Sequence, residues 1–296
     1  RAPTRRVTRL VVTTVMDKPK HGSEYQSEQV ELVRATCLYV ATKLGDLMDD
    51  VVIVGGLVPS LIVDHSALPE DIDAHVGTMD LDVGLQLVLL DDERYRELTA
   101  RLRDAGFSTD TNEAGNPTRQ RWAIEGTEKV TIDFLIPPSR EGDRPGRLRD
   151  IEPDFAAIVA PGLGCAFRDR QRVTLKGRTL FGEKATRDIW VCGAGAYVVL
   201  KALAFDSRGE NKDAYDLFYV VRNFGTDVND VVSKLQPLLD DAEARRALEV
   251  LRRDFTDPES TGPMRVAEFI TGRRDDEIQA DVVGLVTTLL SRLRTG

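Results

Sequence analysis

The chain has 296 residues and a net charge of −9, from 40 basic and 49 acidic side chains. That length predicts one large domain or two closely packed ones, and 42% hydrophobic with 30% charged residues is ordinary for a globular protein. The acidic balance argues against a protein that coats nucleic acid generally, and no apolar run is long enough to predict a membrane span.

Three cysteines (Cys37, Cys165, Cys192) are odd in number and widely spaced, so neither a disulfide framework nor a zinc knuckle is expected; three histidines likewise argue against a His-rich zinc site. A reducing, cytoplasmic setting fits. The N-terminal segment "RAPTRRVTRLVVTTVMDK" is basic and then briefly apolar, without a small-residue cleavage site, and is not read as a signal peptide.

In chain order, residues from about Glu24 to Gly45 predict a helix, since Val30, Val33, Cys37, Leu38, Ala41 and Leu44 recur at roughly helical spacing. "VVIVGG" predicts a short strand and a tight turn at Gly55-Gly56. "LVPSLIVD" can start a short helix, with Pro59 tolerated in its first turn. "TMDLDVGLQLVLL" alternates as a strand, and "DERYRELTARLRDAG" predicts a helix with a glycine stop. "RQRWAIEG" and "KVTIDFLIPP" predict consecutive strands joined by a Gly-Thr turn. "SREGDRPGRLRD" reads as a loop and "RVTLKGRTLFG" as a hairpin. From Gly193 the pattern turns helical, through "GAYVVLKALAFDSRG" and "KDAYDLFYVVRNFG" to the end. The fold class expected is α+β: a mixed sheet with flanking helices over residues 1–190, then a helical domain over 191–296.

The D-x-D triplet occurs twice in "PEDIDAHVGTMDLDV", as Asp71/Asp73 and Asp80/Asp82. Strand side chains alternate faces, so Asp80, Asp82 and Gly84 share one face while Met79, Leu81, Val83 and Leu85 share the other. Two carboxylates converging outside an apolar face suit a divalent ion, which removes their mutual repulsion; the plainer reading is an exposed strand edge. Asp71 and Asp73 have no such alternation and read as a polar turn or a helix start. Gly55-Gly56 between strand and helix would let a phosphate approach the backbone, with Ser60 adding a hydroxyl, though most such turns are only turns. Asp133 lies within an apolar strand, where a carboxylate needs a role or a partner: a third metal ligand, an edge residue, or an ion pair with an arginine. Lys201 and Arg208 are seven apart on one helix face, and Asp213 and Asp216 share another; a structural role for Lys201 is snorkelling from a buried helix. Tyr215, Leu217, Phe218 and Val221 read as core.

Gly55-Gly56, "HVGTMDLDV" and Asp133 resemble the nucleotidyltransferase superfamily with the DNA polymerase beta-like palm. The segment "VLKALAFDSRGENKDAYDLFYV" makes the chain similar to its AbiEii/AbiGii type, the toxins of abortive-infection and toxin–antitoxin systems, which include mycobacterial enzymes that add nucleotides to tRNA. The resemblance covers roughly residues 50–225. It implies a palm domain completed by a helical domain. Gly55, Gly56 and Ser60 would hold a triphosphate. Asp80, Asp82 and Asp133 would hold two Mg²⁺ ions, with Mn²⁺ as a substitute. Lys201 and Arg208 would face the phosphates, and Asp213 and Asp216 would complete the site. It further implies an NTP substrate, tRNA as acceptor and a cognate antitoxin protein as partner, with no membrane. One departure is that 23 residues separate Gly56 from Asp80, more than in compact versions of the motif, which predicts an inserted loop over the site. Other acceptors, a protein or a small molecule, use the same palm, and a non-enzymatic binding or antitoxin module is the remaining alternative. For an RNA acceptor, the expected grip is the stretch from Arg140 to Asp188, where eleven basic residues face eight acidic ones (11 − 8 = +3), in particular Arg140, Arg144, Arg147 and Arg149; a solvated loop is the bland reading.

Overall fold

A computed structural model describes residues 19–70, 72–85, 92–111, 115–124 and 130–294. Helix α1 (Ser27–Leu44) leads into β1 (Val51–Val54), a single-turn helix α2 (Pro59–Ile62) and β2 (Asp80–Leu85). Helix α3 (Asp92–Asp104) precedes β3 (Phe107–Thr111), β4 (Pro117–Ile124), β5 (Val130–Ile136), β6 (Leu148–Glu152) and β7 (Phe155–Val159). A short α4 (Leu163–Arg168) connects to β8 (Arg170–Arg178) and β9 (Lys184–Cys192). The remainder is helical: α5 (Ala194–Arg208), α6 (Asn211–Asn223), α7 (Val228–Leu235), α8 (Ala242–Asp254), α9 (Thr261–Thr271) and α10 (Asp276–Arg292). The chain is thus α+β. No helix among the described residues is long and apolar enough to cross a membrane.

The strands form one mixed sheet in the order β3-β4-β5-β2-β1-β9-β8, with β7 joined to β5 and β6 to β7. β2 is antiparallel to β1 and parallel to β5, and β9 is parallel to β1. All four residues of β1 are buried, because α1 crosses β2, β8 and β9 while α4 lies against β1 and β9; this is why "VVIV" is apolar throughout rather than alternating. In β2 the alternation holds: Leu81 and Val83 are fully buried, while Asp80 and Asp82 are partly exposed. Each fully buried Leu or Val stabilises the fold by about 2 kcal/mol, so this apolar row pins the register that puts both carboxylates on the opposite face. Helices α5 to α10 extend the same hydrophobic core, with Val198, Leu217, Leu248 and Val286 among its members.

Some elements differ from the sequence reading. "SREGDRPGRLRD" is not all loop, since its last three residues begin β6 and pair with β7. "RVTLKGRTLFG" is not a hairpin in itself. It forms most of β8 and its turn, and the partner is β9, in register from Arg170↔Cys192 to Arg178↔Lys184. Polar residues on the outer face of both strands hid this pairing. The Gly-Thr turn, the end of the "TMDLDVGLQLVLL" segment, the N-terminal basic stretch and Asp71 lie outside the described residues.

Candidate active site

A cavity of about 470 Å³ opens where β1 ends, lined by Gly55, Gly56, Asp80, Asp82 and Asp133 on one side and Lys201, Arg208, Lys212, Asp213 and Asp216 on the other. The acidic wall follows from strand register. Asp82 lies beside Asp133 on β5, and Asp133 in turn lies opposite Arg121 on β4, forming a row across three strands. Directly paired residues share a face with their Cβ atoms about 5 Å apart, so Arg121 meets Asp133. Its Nε and Nη2 donate to the two carboxylate oxygens at 2.7 and 2.6 Å, and Nη2 stands 3.9 Å from Asp80. In the next row, the Thr131 hydroxyl donates to Asp80 at 2.5 Å.

Gly55 adopts a left-handed conformation (φ +72°), and any Cβ there would run into the Asp82 carboxylate. Glycine is therefore required both by the backbone angle and by the close approach of the turn to the acid. Gly56 likewise packs against Thr78, with Lys212 Nζ just beyond. Ser60 does not join them: its hydroxyl donates to the Leu57 carbonyl at 2.8 Å, and it is not part of the cavity wall. One helical turn past the glycines, its side chain satisfies the local backbone instead. Asp73 is exposed and off the cavity wall, which leaves Asp80/Asp82 as the D-x-D pair facing it.

The opposite wall is a charge network on α5 and α6, with Lys201, Asp213 and Asp216 buried and Arg208 exposed at its edge. Lys201 Nζ lies 3.0 Å from Asp213 and 2.7 Å from Asp216. Arg208 donates twice to Asp213, at 2.6 and 2.8 Å, and Lys212 donates to Asp216 at 2.7 Å. The helical spacing seen in the sequence thus brings Lys201, Arg208, Asp213 and Asp216 together. Burial opposes the charged forms of both carboxylates, but Lys201 with Arg208 holds Asp213 below its ordinary range, and Lys201 with Lys212 holds Asp216 well below it. Burial also pushes Lys201 down, and the two aspartates overcome it, leaving Lys201 more firmly protonated than a free lysine. Lys212 is shifted the other way, by burial first.

Two further residues join this network. His75 Nε2 lies 2.8 Å from Asp216, and the Gly77 backbone N–H donates to His75 Nδ1 at 3.0 Å. Nδ1 must then carry no proton, so the ring is neutral and Nε2–H donates to Asp216. Burial lowers the His75 pKa to about 4 against the pull of Asp216. Tyr25 stands at the rim with Lys212 Nζ 5.5 Å from its ring centre. His75 falls within "HVGTMDLDV" and Lys212 within "ENKDAYDLF", but no local pattern shows whom they touch. His75 and Asp216 are 141 positions apart. The residues between Gly56 and Asp80, the predicted insertion, carry α2 and bring His75 onto α6.

The basic stretch from Arg140 to Asp188 divides into separate surfaces. Pro145 and Gly146 line the cavity, and their neighbours Arg144 and Arg147 are exposed, as is Arg140. Arg149 is not: it is buried on β6, bonded to Asp143 at 3.0 Å and to the Ser139 hydroxyl at 2.8 Å, so it ties the loop down rather than reaching outward. On the β8–β9 pair, Arg172, Lys176, Arg178 and Lys184 share a face with Trp190. By register through β1 that face lies on the same side of the sheet as Asp82.

Among the described residues, no three histidine, cysteine or carboxylate side chains gather into a ready metal-ligand set, and Asp133 is paired with Arg121. Asp80 and Asp82 do present hard oxygen atoms to the cavity, which suits a divalent ion that draws its other ligands from a phosphate-bearing substrate.

No protein-family model and no curated protein matches the chain. Among solved structures, an antigenic nucleotidyltransferase-like protein from Paracoccidioides brasiliensis aligns over 74% of this chain and 93% of its own, at 15% identity and a TM-score of 0.37. At that level the two chains are distant in shape as well as in sequence.

Proposed function

We propose that the chain is a metal-dependent nucleotidyltransferase that moves a nucleotide from an NTP to a hydroxyl acceptor. The observation that carries this reading is the opposition, across one cavity, of the Asp80/Asp82 face and the Lys201–Arg208–Lys212 cations, with a glycine turn between them. Carboxylates and cations facing each other suit a substrate that is itself a phosphate chain with bound metal.

In this reading Asp80 and Asp82 hold Mg²⁺ together with the nucleotide. When bound, magnesium lowers the pKa of the acceptor hydroxyl and offsets charge on the phosphates. Gly55 lets the turn close onto Asp82 and Gly56 lets it close onto Thr78, which brings the turn's backbone to the cavity wall. Lys201 and Lys212, oriented by Asp213 and Asp216, supply fixed positive charge where the leaving pyrophosphate gains negative charge. The Tyr25 ring, at the rim, offers a stacking face for a base. Positioning supplies most of the rate in such transfers.

For the acceptor we favour an RNA 3′ end, tRNA being the candidate from the family resemblance. Exposed Arg144 and Arg147, which flank the cavity-lining Pro145 and Gly146, exposed Arg140 in the same loop, and the basic face of β8–β9 on the carboxylate side of the sheet would grip phosphates locally in a chain that is acidic overall. Activity of this kind would arrest a bacterial host and call for a neutralising antitoxin. The test is incubation with each labelled NTP, Mg²⁺ and total cellular RNA and protein. Label on RNA supports the reading; label on protein alone moves the acceptor to a protein side chain; no transfer with any NTP, from folded protein, refutes the enzyme.

A further inference from the structure

We propose that Arg121 stands in for one of the divalent cations of this site, so that Asp80 and Asp82 hold a single ion with the nucleotide and Asp133 holds none. The proposal rests on the nucleotidyl-transfer reading above. It starts from the row Asp82–Asp133–Arg121, which strand register fixes across β2, β5 and β4. The guanidinium is not a chance surface contact. It meets Asp133 fork to fork, using both carboxylate oxygens at 2.7 and 2.6 Å, and its Nη2 points on toward Asp80 at 3.9 Å. Bidentate pairing of this kind is the strong, geometrically specific form of the arginine–carboxylate bond.

Charge arithmetic agrees. Asp80, Asp82 and Asp133 carry −3; Arg121 returns +1, and one divalent ion returns +2, which closes the sum at zero on this wall, while Lys201, Arg208 and Lys212 against Asp213 and Asp216 leave +3 − 2 = +1 on the other to meet the nucleotide. An arginine cannot lose its proton to make room for a metal. A second ion on Asp133 would have to break two charge-assisted hydrogen bonds and sit beside a cation. Nor does Arg121 leave easily: it pairs at the point where β5 exchanges β4 for β7 as its neighbour, held by both oxygens of Asp133 with Asp80 next to it. Asp133 consequently acts as the anchor of Arg121.

The experiment counts Mn²⁺ retained per chain by equilibrium dialysis, with a non-hydrolysable NTP analogue present and the analogue's own Mn²⁺ binding subtracted from a protein-free control. Wild type should retain one site beyond that control's share, Arg121→Lys one, and Arg121→Met two, since Asp133 is then released. Two sites in wild type overturn the proposal and leave nucleotidyl transfer standing. None in wild type overturns both. One in a folded Arg121→Met variant removes the role given to Arg121. Should Arg121→Met fail to fold, the wild-type and Arg121→Lys counts still decide the matter.

Discussion

Neutral His75 offers a stability signal whose sign follows from its burial, which outweighs the pull of Asp216. An unfolded histidine titrates near 6.5, whereas in the folded chain burial lowers His75 to about 4. Between these values the unfolded state binds the extra proton and the folded state does not, so stability is full above about pH 6.5 and falls as pH drops toward 4. At pH 5 the loss is about 2 kcal/mol, approaching about 3 kcal/mol near pH 4, from about 1.4 kcal/mol for each tenfold change in proton concentration. Against a total of roughly 5–15 kcal/mol this is a large fraction. The perturbation is His75→Gln, which keeps an N–H donor for Asp216 but cannot titrate. Urea unfolding of both proteins at pH 8 and pH 5 isolates the effect, because packing losses and the other titrating groups are common to both conditions or both chains. Asp216, held well below the ordinary carboxylate range, stays ionised throughout. The stability difference between wild type and variant should shrink by about 2 kcal/mol on acidification. A difference constant to within about 0.5 kcal/mol, near the error of extrapolation, would refute the neutral, Asp216-bonded ring.

Asp80→Ala should abolish nucleotide transfer while leaving thermal unfolding nearly unchanged, since Asp80 is partly exposed on the cavity wall and its core-facing neighbour Leu81 is untouched; retained activity would dismiss the Asp80/Asp82 pair. Gly55→Ala should cost roughly 2–5 kcal/mol in urea unfolding, from a left-handed backbone and overpacking against Asp82, and should lower transfer as well. Arg149→Ala breaks a buried ion pair and should destabilise by about 3–5 kcal/mol. The triple change Arg140→Ala, Arg144→Ala and Arg147→Ala should instead leave stability alone, weaken RNA binding, and flatten the slope of log affinity against log salt by about 2; an unchanged slope would make the loop a bystander.

What the sequence determined by itself was local. A strand has a side-chain period of two, so "DLDVGL" already placed Asp80 and Asp82 on one face and Leu81 and Val83 on the other. A helix returns to the same face after three, four and seven residues, so "LKALAFDSR" and "KDAYD" already aligned Lys201 with Arg208 and Asp213 with Asp216. The glycine turn was legible because strand-to-helix turns that approach a side chain this closely admit little else. The tertiary structure decided who faces whom. Asp133 could be a metal ligand or half of an ion pair, and only the antiparallel register of β4 on β5 put Arg121 against it. Four arginines in one loop looked alike until β6 formed and turned Arg149 inward. Ser60 looked available until α2 gave its hydroxyl a backbone carbonyl. His75 acquired Asp216 across 141 positions. Periodicity along a chain reports which way a side chain points, whereas its partner is set by strand register and helix packing, which depend on the sum of distant contacts and leave no mark on the neighbouring residues.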